Sequence, residues 1–215
     1  MKKFTVNEVF YSVQGEGVRA GTPNVFVRFS GCNLTCTKDG EAGFDCDTEF
    51  TSGRALELDE LMQEVMRTLR EQHVEEPDGC WVILTGGEPG LQTTRELVEA
   101  FHHANMRVAI ETNGTVELPP NIDWVCVSPK SAEHTLRVKR ADEVKYVRHY
   151  GQGIPRPSVS STHKVLSPAF ESLVTPSGGV VHQPHAGALA WCIQLVKENP
   201  EWRLSVQQHK SWGVR

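Results

Sequence analysis

Apolar residues recur at every second position in two early stretches. Val25, Val27 and Phe29 alternate over residues 24–30, and residues 4–11 alternate more loosely. A period of two predicts strands. The period then changes. Leu58, Leu61, Met62, Val65 and Leu69 have helical spacing and predict an amphipathic helix over 59–72. Short apolar runs predict strands at 80–85, 107–111, 124–128, 143–147, 164–166 and 203–206, and helical patterns cover 94–104 and 189–198. Residues 14–21 form a glycine-studded loop, and 151–161 is a Gly/Pro/Ser-rich loop. Residues 173–187 are rich in Pro, Gly and His, so 171–188 is read as a surface insertion. No internal repeat is visible. Strands alternating with helices predict an α/β fold with a parallel sheet and right-handed crossovers. Polar motifs fall where strands end: Ser30-Gly31, Thr85-Gly86, Glu111-Thr112 and Ser128-Pro129. That edge is where α/β folds place their sites.

Composition narrows the class. A length of 215 residues fits one domain, and 23% charged with 39% hydrophobic residues is an ordinary globular mix. A net charge of −5 argues against a nucleic-acid partner. No apolar run is long enough to span a bilayer, and the two lysines near the start precede no apolar stretch. No membrane contact is expected, and a cytoplasmic location is.

Six cysteines could make three disulfides, but only in an oxidising compartment. Cys80, Cys126 and Cys192 sit in apolar runs and read as small buried hydrophobes. Cys32, Cys36 and Cys46 differ, with three and then nine residues between them in a polar loop spanning 31–50. A closed zinc site usually takes four ligands, so zinc would need a histidine such as His73 or His209. Three thiolates suit a 4Fe–4S cluster that keeps one iron open. Spacing alone does not separate these two readings from ordinary thiols.

The neighbouring motifs carry a resemblance. Cys-x3-Cys, a later aromatic (Phe44), a third Cys and Asp47-Thr48 resemble radical S-adenosylmethionine enzymes, although those usually have only two residues between the second and third cysteines. Within that superfamily the chain is similar to the 7-carboxy-7-deazaguanine synthase family. The matching stretches are Gln14-Gly15-Glu16-Gly17, Arg28-Phe29-Ser30-Gly31-Cys32, Cys46-Asp47-Thr48, Gly86-Gly87-Glu88-Pro89, Glu111-Thr112-Asn113-Gly114, Ser128-Pro129-Lys130 and the tail to His209-Lys210. About 147–187 matches poorly.

The resemblance implies a shortened, incomplete TIM-like (β/α) barrel, a parallel sheet with flanking helices, forming one domain over 1–215. It implies conversion of 6-carboxy-5,6,7,8-tetrahydropterin to 7-carboxy-7-deazaguanine with loss of ammonia, in 7-deazapurine and queuosine biosynthesis. The cofactors are a 4Fe–4S cluster on Cys32, Cys36 and Cys46, S-adenosylmethionine, and Mg²⁺ on Thr48. S-adenosylmethionine is expected against Asp45, Asp47, Gly87, Glu88, Ser128, Pro129, Lys130 and Ser167. The substrate is expected against Val13, Gln14, Gly15, Glu16, Arg28, Thr85, His209 and Arg215. No side chain is assigned a catalytic role, because the radical arises on S-adenosylmethionine. Expected partners are an external electron donor such as flavodoxin and a second copy in a homodimer. Two other functions stay open: a glycyl-radical activating enzyme acting on a protein, and a zinc-binding interaction module.

Overall fold

The computed structural model describes residues 2–37, 39–40, 46, 48–174 and 180–214. Nine strands make one sheet: β1 (Phe4–Val13), β2 (Pro23–Phe29), β3 (Arg54–Leu56), β4 (Trp81–Gly86), β5 (Arg107–Thr112), β6 (Trp124–Val127), β7 (Arg140–Arg148), β8 (Ser160–Pro168) and β11 (Trp202–Leu204). A separate two-stranded ribbon pairs β9 (Phe170–Val174) with β10 (Val180–Pro184). The helices are α1 (Leu58–Glu71), α2 (Arg95–His103), α3 (Ala188–Glu198) and the short α4 (Gln208–Trp212).

The sheet order is β11-β8-β7-β6-β5-β4-β2-β1-β3. From β2 across to β11 every pairing is parallel. The sheet is thus mostly parallel, as expected, and differs at one edge, where β1 runs antiparallel to β2 and to β3. The nine-residue turn between β1 and β2 is too short for a crossover, so the pair forms a hairpin. The sheet has two ends, β11 and β3, and no closed barrel is present among the described residues.

Helices cover one face. Glu57 and Glu60 form a capping box that starts α1, and Leu61, Val65 and Leu69, four residues apart, turn inward. Burying each contributes roughly 1.5–3 kcal/mol. Thr94 caps α2 by accepting from the Leu97 N–H. These helices pack on Val25, Val27, Phe29, Val82, Leu84, Val108 and Ile110. A second core of Val127, Val144, Tyr146, Leu166, Cys192 and Trp202 lies under α3.

Strand alternation decides what the other face carries. Odd positions of β2 and even positions of β4, β5, β7 and β8 are spent on these cores. Their neighbours, Arg28, Thr85, Glu111, Lys145 and Ser167, all line a cavity instead. Phe10 and Phe26, stacked at 4.9 Å, close the floor near β1. No helix of the described residues is long and apolar enough to cross a membrane.

Candidate active site

One cavity of about 870 Å³ opens at the C-terminal ends of the parallel strands. Cys32, Cys36 and Cys46 line it as free thiols. The Cys46 N–H donates to the Cys36 carbonyl at 3.3 Å, which pulls the two ends of the inserted loop together. Burial pushes the Cys32 and Cys36 thiols up, with Lys130 opposing the shift at Cys36. Among the described residues, no three His, Cys, Asp or Glu side chains converge on a single ion. Thiolates of a cubane cluster bind different irons, so they surround a volume rather than a point. Cys126 and Cys192 are buried, as read from sequence, and Cys80 is half-buried against the first core.

The Gly-Gly turn after β4 crosses directly under the cysteine loop. The Gly87 N–H donates to the Phe29 carbonyl at 3.2 Å and the Glu88 N–H to the Gly31 carbonyl at 2.9 Å. A Cβ on Gly87 would sit 2.1 Å from the Gly31 oxygen and 3.1 Å from the Cys32 Cβ. Only glycine lets the two backbones approach this closely. The side chain of Glu88, expected against S-adenosylmethionine, is 0% exposed and is not part of the cavity lining. Its carboxylate accepts from Gly90 N at 2.8 Å, Thr112 Oγ1 at 2.6 Å and Asn113 N at 2.7 Å. Burial raises its pKa against the pull of those bonds. Glu88 therefore ties the turn after β4 to the end of β5.

Other expected cofactor residues divide. Gly87, Ser128, Lys130, Ser167 and Thr48 line the cavity, and Lys130 Nζ donates to Ser128 Oγ at 2.8 Å. Pro129 lies between two lining residues without lining the cavity itself. Asp45, Asp47 and Phe44 lie outside the described residues, as does Arg215.

The substrate set comes together. Val13, Gln14, Gly15, Glu16, Arg28, Thr85 and His209 all face the cavity. The tail folds over the glycine loop: Gln208 N donates to the Gly15 carbonyl at 2.9 Å, and a Cβ on Gly15 would meet His209 Nδ1 at 2.2 Å. Arg28 is already engaged, its Nε donating to Glu8 Oε1 at 2.9 Å across the β1–β2 hairpin. The region read as a surface insertion also contributes. The described part folds as the β9–β10 ribbon, and Phe170, Glu171 and His185 at its root line the cavity.

Sequence reasoning missed the centre of the polar floor. Lys145 Nζ lies 2.6 Å from Glu16 Oε2 and 3.1 Å from Glu111 Oε2. Gln14 Nε2 donates to Glu111 Oε1 at 3.1 Å, and Gln207 Nε2 to Glu16 Oε1 at 2.8 Å. Glu143 completes the group by accepting from Val18 N at 2.8 Å. Burial pushes Glu16 up, but the Lys145 ammonium outweighs it and holds the carboxyl down to about 2. Burial would lower Lys145, yet Glu111 and Glu16 keep it protonated well above its ordinary range. Burial and Glu111 together raise Glu143. A signal was present: Glu143 and Lys145 alternate with Val144 and Tyr146, placing two charges on one face of a strand.

An α/β sheet that brings three free thiols and a charged, concave floor to one edge defines an iron–sulfur enzyme acting on a small polar molecule. The comparisons agree. A family model described as a 4Fe-4S single cluster domain matches residues 13–117. The 7-carboxy-7-deazaguanine synthase of Bradyrhizobium diazoefficiens is 39% identical over 99% of each chain, and that of Bacteroides thetaiotaomicron 40% identical over 98% of each. The crystal structure of QueE from Escherichia coli matches with a TM-score of 0.65 at 24% identity, covering 96% of this chain and 95% of that one. The chain belongs to the 7-carboxy-7-deazaguanine synthase family.

Proposed function

We propose that this chain converts 6-carboxy-5,6,7,8-tetrahydropterin to 7-carboxy-7-deazaguanine with loss of ammonia, using a 4Fe–4S cluster, S-adenosylmethionine and Mg²⁺. The observation that carries the reading is the shared cavity: three free thiols and a floor of Gln14, Glu16, Glu111 and Lys145 face one space. When bound, cluster and S-adenosylmethionine supply one-electron chemistry that takes a hydrogen from the substrate and returns it. The residues fit those groups. Soft thiolates on Cys32, Cys36 and Cys46 suit iron. The Gly87 backbone passes beside Cys32, where the methionine end of S-adenosylmethionine is assigned. Ser128 and Lys130 after β6, and Ser167 at the end of β8, are assigned to its adenosine end. Thr48 offers a hydroxyl of the hard oxygen type that Mg²⁺ prefers.

The protein's part is binding, orientation and exclusion of water. Arg28, with its Nε fixed by Glu8, is left to present its terminal nitrogens to the substrate carboxylate, a pairing a guanidinium makes in a plane. The polar floor takes the pyrimidine edge, and His209 on α4 closes the cavity from above. The wider assignments rest on the family resemblance: a shortened barrel-like single domain, a cluster loop over 31–50, a cytoplasmic homodimer and a flavodoxin-type electron donor. The test is anaerobic turnover of the reconstituted protein with the tetrahydropterin, reading 7-carboxy-7-deazaguanine by mass spectrometry and ammonia by enzymatic assay. One ammonia per product is expected. Cleavage of S-adenosylmethionine with no pterin-derived product would overturn the reading and favour an activase.

A further inference from the structure

Lys145 is a buried cation that neither the motifs nor the family match assigns. It lies between Glu16 at 2.6 Å and Glu111 at 3.1 Å, lines the cavity, and is only 8% exposed. A protonated amine has three N–H donors, and these two carboxylates take two of them. The acceptor side has room as well. Glu16 Oε1 receives Gln207 and Oε2 receives Lys145, while Glu111 Oε1 receives Gln14 and Oε2 receives Lys145. Each carboxylate oxygen has two lone-pair sites, so each keeps capacity for a substrate donor. Lys145 also holds the Glu16 carboxyl in its charged, accepting form against burial, and its positive charge offsets the crowding of Glu16, Glu111 and nearby Glu143 in a desolvated space.

The pyrimidine ring of a pterin presents an amino group and a ring N–H as donors, and beside them one carbonyl as acceptor. The floor sets a carboxylate beside an ammonium, an acceptor next to a donor, which matches a ring N–H next to a ring carbonyl. We propose that Lys145 is a specificity-determining residue whose remaining N–H donates to the ring carbonyl of the pterin, while a carboxylate beside it accepts from the adjacent ring N–H. This rests on the pterin reading above and names a residue that reads its ring edge. A site built around a charged donor disfavours an analogue lacking the acceptor, because the donor is then left unpaired in a dry pocket.

The test uses equilibrium binding to the reconstituted holoenzyme, so it does not depend on turnover. The two ligands are 6-carboxypterin, which is oxidised and inert, and its 4-thioxo analogue, in which a weak acceptor replaces the carbonyl while the ring N–H and amino group stay. Wild type should bind the carbonyl compound about tenfold more tightly, the value of one hydrogen bond to a charged group. In Lys145→Met the two should bind within about threefold of each other. Lys145→Gln, a neutral donor one bond shorter, should fall between and serves if the methionine variant does not fold. Equal binding by wild type overturns the proposal without any variant, and so does an unchanged preference in either variant. Failure of wild type to bind either compound would instead overturn the pterin reading itself.

Discussion

Glu88 offers a sharp test of the geometry, because sequence motif and structure give it different roles. Its carboxylate accepts from two backbone amides, Gly90 N at 2.8 Å and Asn113 N at 2.7 Å, and from Thr112 Oγ1 at 2.6 Å. In Glu88→Ala the threonine hydroxyl can turn elsewhere, but the two amides stay buried with no acceptor. Each such orphan costs roughly 1–3 kcal/mol, so the loss is roughly 2–6 kcal/mol. That is a large part of a total stability of about 5–15 kcal/mol. At roughly 2–4 °C per kcal/mol for a chain of this size, Tm should fall by roughly 4–24 °C. Glu88→Gln keeps one oxygen and should lose less. The decisive comparison pairs melting by circular dichroism under argon with S-adenosylmethionine affinity by equilibrium dialysis. A buttress predicts that Glu88→Gln lowers Tm while affinity stays within about threefold. A glutamine variant with unchanged Tm and affinity weakened tenfold or more would mean that this side chain holds the cofactor, and the reasoning would be refuted.

Three further outcomes follow from the same site. Arg28→Lys leaves one ammonium to serve both Glu8 and the substrate carboxylate, so the pterin KM should rise about 10- to 140-fold, equivalent to roughly 1.5–3 kcal/mol; a KM within threefold of wild type contradicts the clamp. Thr48→Val removes one hydroxyl at similar volume, and turnover should lose its response to added Mg²⁺, read from rate against magnesium concentration. Glu16 has its pKa lowered from 4.5 to about 2, chiefly by Lys145 working against burial, so its contribution to stability is complete above pH 4.5 and lost as pH falls towards 2. Glu16→Gln should flatten the curve of unfolding midpoint against pH in that window, and an unchanged acid limb would count against the ion pair.

Local pattern made most of the fold legible. The period-two run ending at Phe29 and the helical spacing from Leu61 to Leu69 reappear within a residue or two as β2 and α1. Elements held by tertiary pairing were not legible. β3 is three residues long, with no period to read, and exists because it pairs with β1. The β9–β10 ribbon has a composition that reads as loop, and pairing alone makes it a strand pair. The same division runs through the site. Cys32, Gly87 and Arg28 announce themselves in contiguous motifs. Lys145 acquires meaning only when strand order places β7 opposite the Gln14–Glu16 loop, more than a hundred residues away in sequence. Glu88 shows the reverse: a motif position whose side chain turns away from the cavity its neighbours line.

The most direct test of the central claim is the cluster itself. Wild type and six single Cys→Ala variants would be reconstituted anaerobically, then measured for iron content and for turnover of the tetrahydropterin with S-adenosylmethionine. About four irons per chain and product formation are expected in wild type and in the Cys80, Cys126 and Cys192 variants, which alter residues outside the cavity lining. Loss of both is expected for Cys32→Ala, Cys36→Ala and Cys46→Ala. Full iron content with turnover in any of those three, or turnover by colourless protein, would contradict the account.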